Sequence, residues 1–428
     1  MKIALIGSGG REHAFAHAIS KSKLLTHLYI LPGNPGTAHL GTNLAIDTNN
    51  FNAVAEFCLK EQIQLLVVGP EEPLVNGLRD FFEADEQLRK IAFVGPGKNG
   101  AIMEGSKDWS KLFMHKYAIP TAAYQTFTAE NLQAGLSYIQ SHELPIVLKA
   151  DGLAAGKGVL ICQTHEEALH EFEAMLMNHK FGTAGNKVVI EQFLAGIECS
   201  VFVLSDGNSY QILPVAKDYK RIGEADTGLN TGGMGALSPV PFADHTFMQK
   251  VEERIVIPTI EGLKKEGIVY KGFIFIGLIK VNNEPYVIEY NCRMGDPETE
   301  VVLPRIQTDM IDLLMATANG NLHTINLQIN PMHAATVMLV AKGYPEAYEK
   351  GTFITGTDLV QQSTIYHAGT KLNEQGQLLS NGGRIMALTS LAPSLQEAIA
   401  LSNTAANQIQ FSNKYFRTDI GYEFNTNQ

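Results

Sequence analysis

The sequence predicts a multidomain chain of mixed α/β and α+β class: an open parallel sheet at the amino terminus, a mostly antiparallel middle, and a small mixed or antiparallel β domain at the end. Three observations predict it. At 428 residues the chain exceeds one comfortable hydrophobic core. Apolar strand-like runs alternate with helical stretches over the first hundred residues, which is the pattern of a parallel sheet. Beyond residue 105 short strands flank turns directly, as in hairpins.

Residues 2–6 read as a buried strand, because apolar residues run without alternation into a glycine turn. A helix over 12–20, a strand over 28–31, a helix over 51–62, a strand over 65–68, a helix over 75–82 and a strand over 91–94 follow. The strands end in turns at 7–11, 32–36, 69–73 and 95–97, and such turns line the ligand crevice of an open parallel sheet. A helix over 107–117 ends before Pro120, and strands over 146–149 and 158–162 flank a glycine-rich loop with no helix after it. Further strands are expected at 187–191, 198–204, 210–215, 272–281 and 285–291. The last hundred residues give strands near 334–341, 363–369 and 384–390, a turn at Asn381-Gly382-Gly383, and a closing helix over 395–409. The expected domains are 1–104, 105–325 and 326–428.

Composition narrows the function. Hydrophobic residues at 45% and charged residues at 18% describe a folded soluble protein. The net charge of −11 is scattered with no basic block, which argues against nucleic acid as a partner. The four cysteines, Cys58, Cys162, Cys199 and Cys292, form no CxxC pattern and read as reduced, buried thiols. The apolar run at 3–6 is too short for a signal peptide or a membrane span, so a cytoplasmic location is expected.

Gly7-Ser8-Gly9-Gly10-Arg11-Glu12 after the first strand invites a dinucleotide reading, but Glu12 stands at the third glycine position and no acidic residue ends the second strand. A nicotinamide-dependent dehydrogenase is therefore disfavoured. Another phosphate ligand at the turn, or a plain strand-to-helix turn, remains open. Gly152-Leu-Ala-Ala-Gly156-Lys157-Gly158 is one residue short of a P-loop and lacks its Ser/Thr, which excludes a Walker NTPase. Flanked by strands, these glycines form a hairpin tip whose amides can approach a triphosphate, with Lys149 and Lys157 supplying positive charge.

In 286–293 the period of two puts Glu289, Asn291 and Arg293 on one face and Ile288, Tyr290 and Cys292 on the other. A carboxylate and an amide oxygen two residues apart suit magnesium, which completes its shell with phosphate and water. Arg293 is placed to stabilise charge on a transferring phosphoryl group or a tetrahedral adduct. Asp226 to Gly235 has too few apolar residues for a regular element and reads as a ligand-ordered loop whose amides and Asn230 bind an acid. Together these features describe ATP- and magnesium-dependent chemistry on an unspecified object.

The chain resembles the phosphoribosylamine–glycine ligase family of ATP-grasp enzymes. The resemblance runs the whole length, through GSGGREHA (7–14), PGNPGTA (32–38), GPEEPLV (69–75), EGSK (104–107), LKADGLAAGKGV (148–159), EQFLAGIE (191–198), DTGLNTGGMGA (226–236), IEYNCRMGDPETE (288–300), HAGTK (367–371) and NGGR (381–384). It implies a Rossmann-like pre-ATP-grasp domain, a central ATP-grasp domain with a mobile lid at about 123–195, and the small C-terminal domain. It implies ATP on Lys107, Lys149, Gly152, Gly156, Lys157 and Gly158, with Glu191, Gln192, Phe193 and Leu194 as the adenine hinge and Glu198 at the ribose. Glu289 and Asn291 match the ligands of Mg2+ or Mn2+. Gly9, Gly10, Asn34 and Glu71 would hold 5-phosphoribosylamine, and Asp218, Lys220, Arg221, Asn230, Thr231, Gly232, Gly233 and Arg293 complete the substrate face. Arg293 and Lys157 are the catalytic candidates. Tyr219 and Met294 depart from the family pattern, where His and Phe are expected.

The implied reaction activates glycine as glycyl phosphate, which the amine of phosphoribosylamine then attacks. A monomer or weak homodimer working on small molecules is expected. A carboxylase of purine synthesis on the same fold is the nearest rival; a catalytically dead nucleotide sensor is disfavoured by the joint presence of Lys149, Lys157, Glu289, Asn291 and Arg293.

Overall fold

A computed structural model describes residues 1–153, 158–178, 180 and 182–424. Five parallel strands form the amino-terminal sheet in the order Thr42–Asn43, His27–Pro32, Lys2–Gly7, Leu65–Val68, Ala92–Val94. Lys2–Gly7 lies in the centre, and Ile3, Ala4, Leu5 and Ile6 are all fully buried, as an unalternated apolar run requires. The two-residue edge strand Thr42–Asn43 has no apolar signature and was not expected. The helix expected over 75–82 is two, Glu71–Val75 and Leu78–Ala84, because Gly77 sits at φ +94° between them.

Two antiparallel sheets follow. One orders Tyr124–Thr128, Lys187–Gln192, Ile146–Ala150 and Val159–Cys162, covered by helices Leu132–Ser141 and His165–Met177 through Phe127, Ile139 and Phe172. The other orders Tyr210–Ile212, Ile197–Asp206, Lys271–Val281 and Glu284–Asn291. Its last hairpin turns at Asn282 and Asn283, both at positive φ, the geometry that matches strand twist in a tight hairpin.

The third sheet joins distant parts of the chain. Its order is Lys217–Asp218, Gly235–Ser238, His333–Ala341, Arg384–Ala392, Thr364–His367, with Lys414–Tyr415 also paired to His333–Ala341. Helix Leu395–Gln408 packs on it. The middle of the chain thus supplies two strands to the carboxy-terminal sheet. Between them, the stretch 226–235, expected as a loop, contributes strand Thr227–Asn230, which pairs with Arg221–Gly223 as a hairpin. Its turn is fixed from outside by the fully buried Arg417, which reaches Asp226 at 2.6 Å and Asp419 at 2.8 Å. A tertiary ion pair supplies what the local sequence lacks.

The strand Glu284–Asn291 also departs from simple alternation. Gly277 pairs with Glu289 and Leu278 with Val287, so Ile288 is the extra residue of a bulge. Val287 and Tyr290 are both core, whereas Ile288, expected to point inward, is half-buried.

Candidate functional site

The cleft between the two antiparallel sheets gathers most of the predicted nucleotide residues. Lys149, at the end of a fully buried strand, donates to the Ile288 carbonyl at 3.1 Å and so ties one sheet to the other. The bulge at Ile288 presents that carbonyl. Lys149 Nζ also lies 3.0 Å from Glu191 Oε1, and Lys111 Nζ lies 2.9 Å from Glu191 Oε2. The Lys149 contact is in ion-pair range but off the hydrogen-bond direction of Oε1. Glu191, expected in the adenine hinge, therefore also carries a side-chain role. The two lysines hold its carboxylate below the usual range against the opposing effect of burial.

Lys107 opens helix Lys107–Lys116 and donates to the Gly152 carbonyl at 2.9 Å. Asp151 accepts from Ser106 Oγ and from the Asp108 amide, each at 3.0 Å, clamping the glycine loop to the same helix end. Gly152 has φ +135°, and a Cβ there would stand 3.0 Å from the Ala184 Cβ. Gly158 accepts from the Ala150 amide at 2.8 Å. Gly156 and Lys157 lie outside the described residues. Gln192, the last residue of strand Lys187–Gln192, and Phe193 are exposed, and Leu194 is half-buried.

Glu198 and Asp218 face Lys220, at 2.6 and 3.2 Å. Glu289 is half-buried at the strand end, near enough to Lys107 and Lys220 to act on both electrostatically. Asn291 is 9% exposed. Among the described residues no cluster of three or more Asp, Glu, His or Cys gathers as a metal cage. Two hard oxygen donors fit a magnesium ion that takes its remaining ligands from phosphate and water.

The opposite wall comes from the amino-terminal turns. Arg293 places Nη2 3.0 Å from Glu104 Oε1 and Nε 3.2 Å from Glu71 Oε2, so the catalytic candidate meets a residue of the predicted substrate turns. Arg11 donates to the Met294 carbonyl at 3.1 Å and to Glu12 at 2.6 Å. Glu12 in turn accepts from the Gly9 amide at 2.7 Å. This carboxylate fills the place at the helix start that a dinucleotide pyrophosphate would take. Asn34 is committed to structure: its amide donates to the Ser8 and His367 carbonyls at 2.8 Å, and its oxygen accepts from the Gly36 and Thr37 amides.

Within the hairpin region, Arg221 donates to the Gly228 carbonyl at 2.8 Å and stabilises its own turn. Asn230 is exposed, Thr231 accepts from the Gly233 amide at 2.9 Å, and Gly232 is held by Tyr344 and Arg384. Gly233, at φ +120°, packs so closely that a Cβ would stand 2.4 Å from Pro297 Cδ. Tyr219 is buried, donates to Glu423 at 2.9 Å and lies under Lys217, a packing role.

Several site residues escaped the sequence reading: Glu104, Lys111, Arg384, the half-buried Asp296 and the buried carboxylates Glu298 and Glu300. Glu300 is fully buried, neither of its oxygens has a hydrogen-bond partner among the described residues, and a Cβ on Gly10 would stand 2.3 Å from Oε1. Burial and the neighbouring Asp296 push its pKa well upward. Glu298 is pushed to about 7 by burial and by Asp218. The density of acids in GDPETE was the available signal.

Comparison with known proteins matches this architecture segment by segment. Residues 1–104 match the phosphoribosylglycinamide synthetase N domain, 105–299 its ATP-grasp (A) domain and 334–423 its C domain. The chain belongs to the phosphoribosylamine–glycine ligase family. It is 42% identical to the ligase of Neisseria meningitidis serogroup B over 98% of both chains, and 42% identical to that of Haemophilus influenzae over 99% of this chain and 98% of that one. It spans 54% of the bifunctional purine biosynthetic protein of Pichia angusta, at 41% identity over 99% of its own length. A crystal structure of the Thermotoga maritima phosphoribosylamine–glycine ligase superposes with a TM-score of 0.85 at 34% identity, covering 98% of this chain and all of that one. The biotin carboxylase domain of Hydrogenobacter thermophilus 2-oxoglutarate carboxylase shares the fold, with a TM-score of 0.71 at 17% identity over 98% of this chain and 92% of that one.

Proposed function

We propose that this chain joins glycine to 5-phosphoribosylamine at the expense of ATP, giving glycinamide ribonucleotide, ADP and phosphate. The observation that carries the reading is Arg293, held between Glu71 of the amino-terminal turns and Glu104. It stands where an amine from one side meets an activated acid from the other.

A glycine carboxylate oxygen attacks the γ-phosphorus and ADP leaves, forming glycyl phosphate. The amine nitrogen then attacks the carbonyl carbon, phosphate departs and the nitrogen loses a proton. Lys107 and Lys149 hold the phosphates, the hinge from Glu191 to Leu194 takes adenine, and Glu198 takes the ribose. Gly152 and Gly158 belong to the lid over the triphosphate. Glu289 and Asn291 would hold magnesium or manganese, which supplies charge neutralisation to the phosphates when bound. Arg293 stabilises the tetrahedral adduct, and the protein contributes chiefly alignment and fixed charge. The carboxyl oxygens of Glu300 beside Gly10, unpartnered among the described residues, suit a substrate rich in hydroxyls. Among the described residues no helix is long and apolar enough to cross a membrane.

An ADP-release assay with glycine and freshly made phosphoribosylamine, supplied separately and together, tests the reading. Release requiring both is expected. Release driven by bicarbonate without glycine would assign a carboxylase instead.

A further inference from the structure

Lys111 lies one helical turn beyond Lys107 on helix Lys107–Lys116, and only 2% of its surface is exposed. Its ammonium meets Glu191 Oε2 at 2.9 Å, Thr121 Oγ1 at 2.8 Å and the Ala122 carbonyl at 3.4 Å. An ammonium has three donors, and these three oxygens take them all. The Tyr124 ring covers it, its centroid 5.5 Å from Nζ. Lys111 therefore has nothing left to offer a ligand. Lys149, on the other side of the same carboxylate, has two partners, Glu191 and the Ile288 carbonyl, and keeps one donor direction.

The three groups are buried together, Lys111 at 2%, Glu191 at 3% and Lys149 at 4% exposure. One carboxylate between two ammonium groups leaves a surplus of one positive charge. A buried ion pair is self-sufficient, but a surplus buried charge is costly unless an anion joins it. Glu191 alone beside Lys149 would cancel the charge that phosphate needs.

We propose that Lys111 is the charge-balancing residue of the nucleotide cleft, neutralising Glu191 so that the Lys149 charge stays available to the phosphates of a nucleotide. This rests on the reading of the cleft as the ATP site. Lys111 acts through Glu191 and touches no substrate; it is a positioning residue. Burial pulls its pKa down to about 8 against the attraction of Glu191, so it remains charged at neutral pH.

The test measures binding of ADP and of adenosine by calorimetry to the full chain, to Lys111→Met and to Lys111→Gln, which removes the charge but keeps an amide donor. Lys111→Met should weaken ADP by about tenfold or more, a modest fraction of a buried charge interaction, while adenosine stays within about twofold. Lys111→Gln should lose ADP to the same extent, because the lost charge and not the lost hydrogen bond is responsible. Equal loss of ADP and adenosine in Lys111→Met, or ADP binding unchanged in either variant, would overturn the proposal. If Lys111→Met fails to fold, Lys111→Gln decides by the same comparison of ADP with adenosine. An unmodified chain that binds neither compound would instead remove the nucleotide reading on which the proposal rests.

Discussion

Arg293 Nη2 sits 3.0 Å from Glu104 Oε1, and the other oxygen of that buried carboxylate accepts the Cys292 amide at 2.8 Å. One side chain on helix Lys98–Gly105 thus fixes both the backbone and the guanidinium at the end of the acidic strand. Glu104→Gln keeps the shape and removes the charge. Steady-state kinetics should show kcat lower by about tenfold with KM for ATP little changed; Arg293→Lys, which cannot span two carboxylates, should lose about 10²-fold or more. Unchanged kcat in both variants would remove Arg293 from the chemistry.

Replacing Glu289 with Ala should abolish ATP turnover without moving the urea midpoint, because the side chain is half-buried and outside the apolar core. Asn291→Ala should raise the magnesium concentration for half-maximal rate by about tenfold or more. Retained turnover in Glu289→Ala counts against the metal assignment.

His13, His17 and His367 gather at the junction of the amino-terminal helix and the carboxy-terminal sheet, with the Tyr366 ring among them. Burial lowers their pKa values to about 3, 4 and 4. In the unfolded chain they titrate near 6.5, so as pH falls below that value the unfolded state takes up protons that the folded state refuses. Stability is complete above about 6.5 and declines towards 4, by up to about 1.4 kcal/mol per pH unit for each histidine. Urea unfolding at pH 7 and pH 5 should show the loss, and His13→Gln should make the slope shallower. Equal stability at both pH values would contradict it.

Gly69→Ala should destabilise the chain by about 2 to 3 kcal/mol, because the new Cβ would stand 2.1 Å from Glu12 Oε1. Combining it with Glu12→Ala should recover part of that loss in a double-mutant cycle. Strict additivity would show that the crowding is relieved elsewhere.

Periodicity and turn chemistry reveal the elements whose causes are local: the buried strand before Gly7, the hairpin around the glycine loop, and the alternation that brings Glu289 near Asn291. What was not legible has non-local causes. The bulge at Ile288 is set by register against Gly277 and Leu278, and the hairpin turn at Asp226 by Arg417 almost two hundred residues away. At the site, the lysines of the glycine loop announce themselves as charges in a sparse stretch. Lys111 reads as one more polar residue on a helix, because only folding sets Glu191 beside it. The glycines of the first turn invite a dinucleotide, and Glu12 overrules them by seating its own carboxylate there.

The strands Lys217–Asp218 and Gly235–Ser238 belong by position to the nucleotide-binding region and by pairing to the carboxy-terminal sheet. During synthesis Gly235–Ser238 emerges well before its partner His333–Ala341, so an unpaired edge waits on the growing chain. Ordering of these two strands and completion of the last sheet become one late event. A cut between the two regions would leave a raw edge on each fragment, the kind of surface that recruits foreign strands.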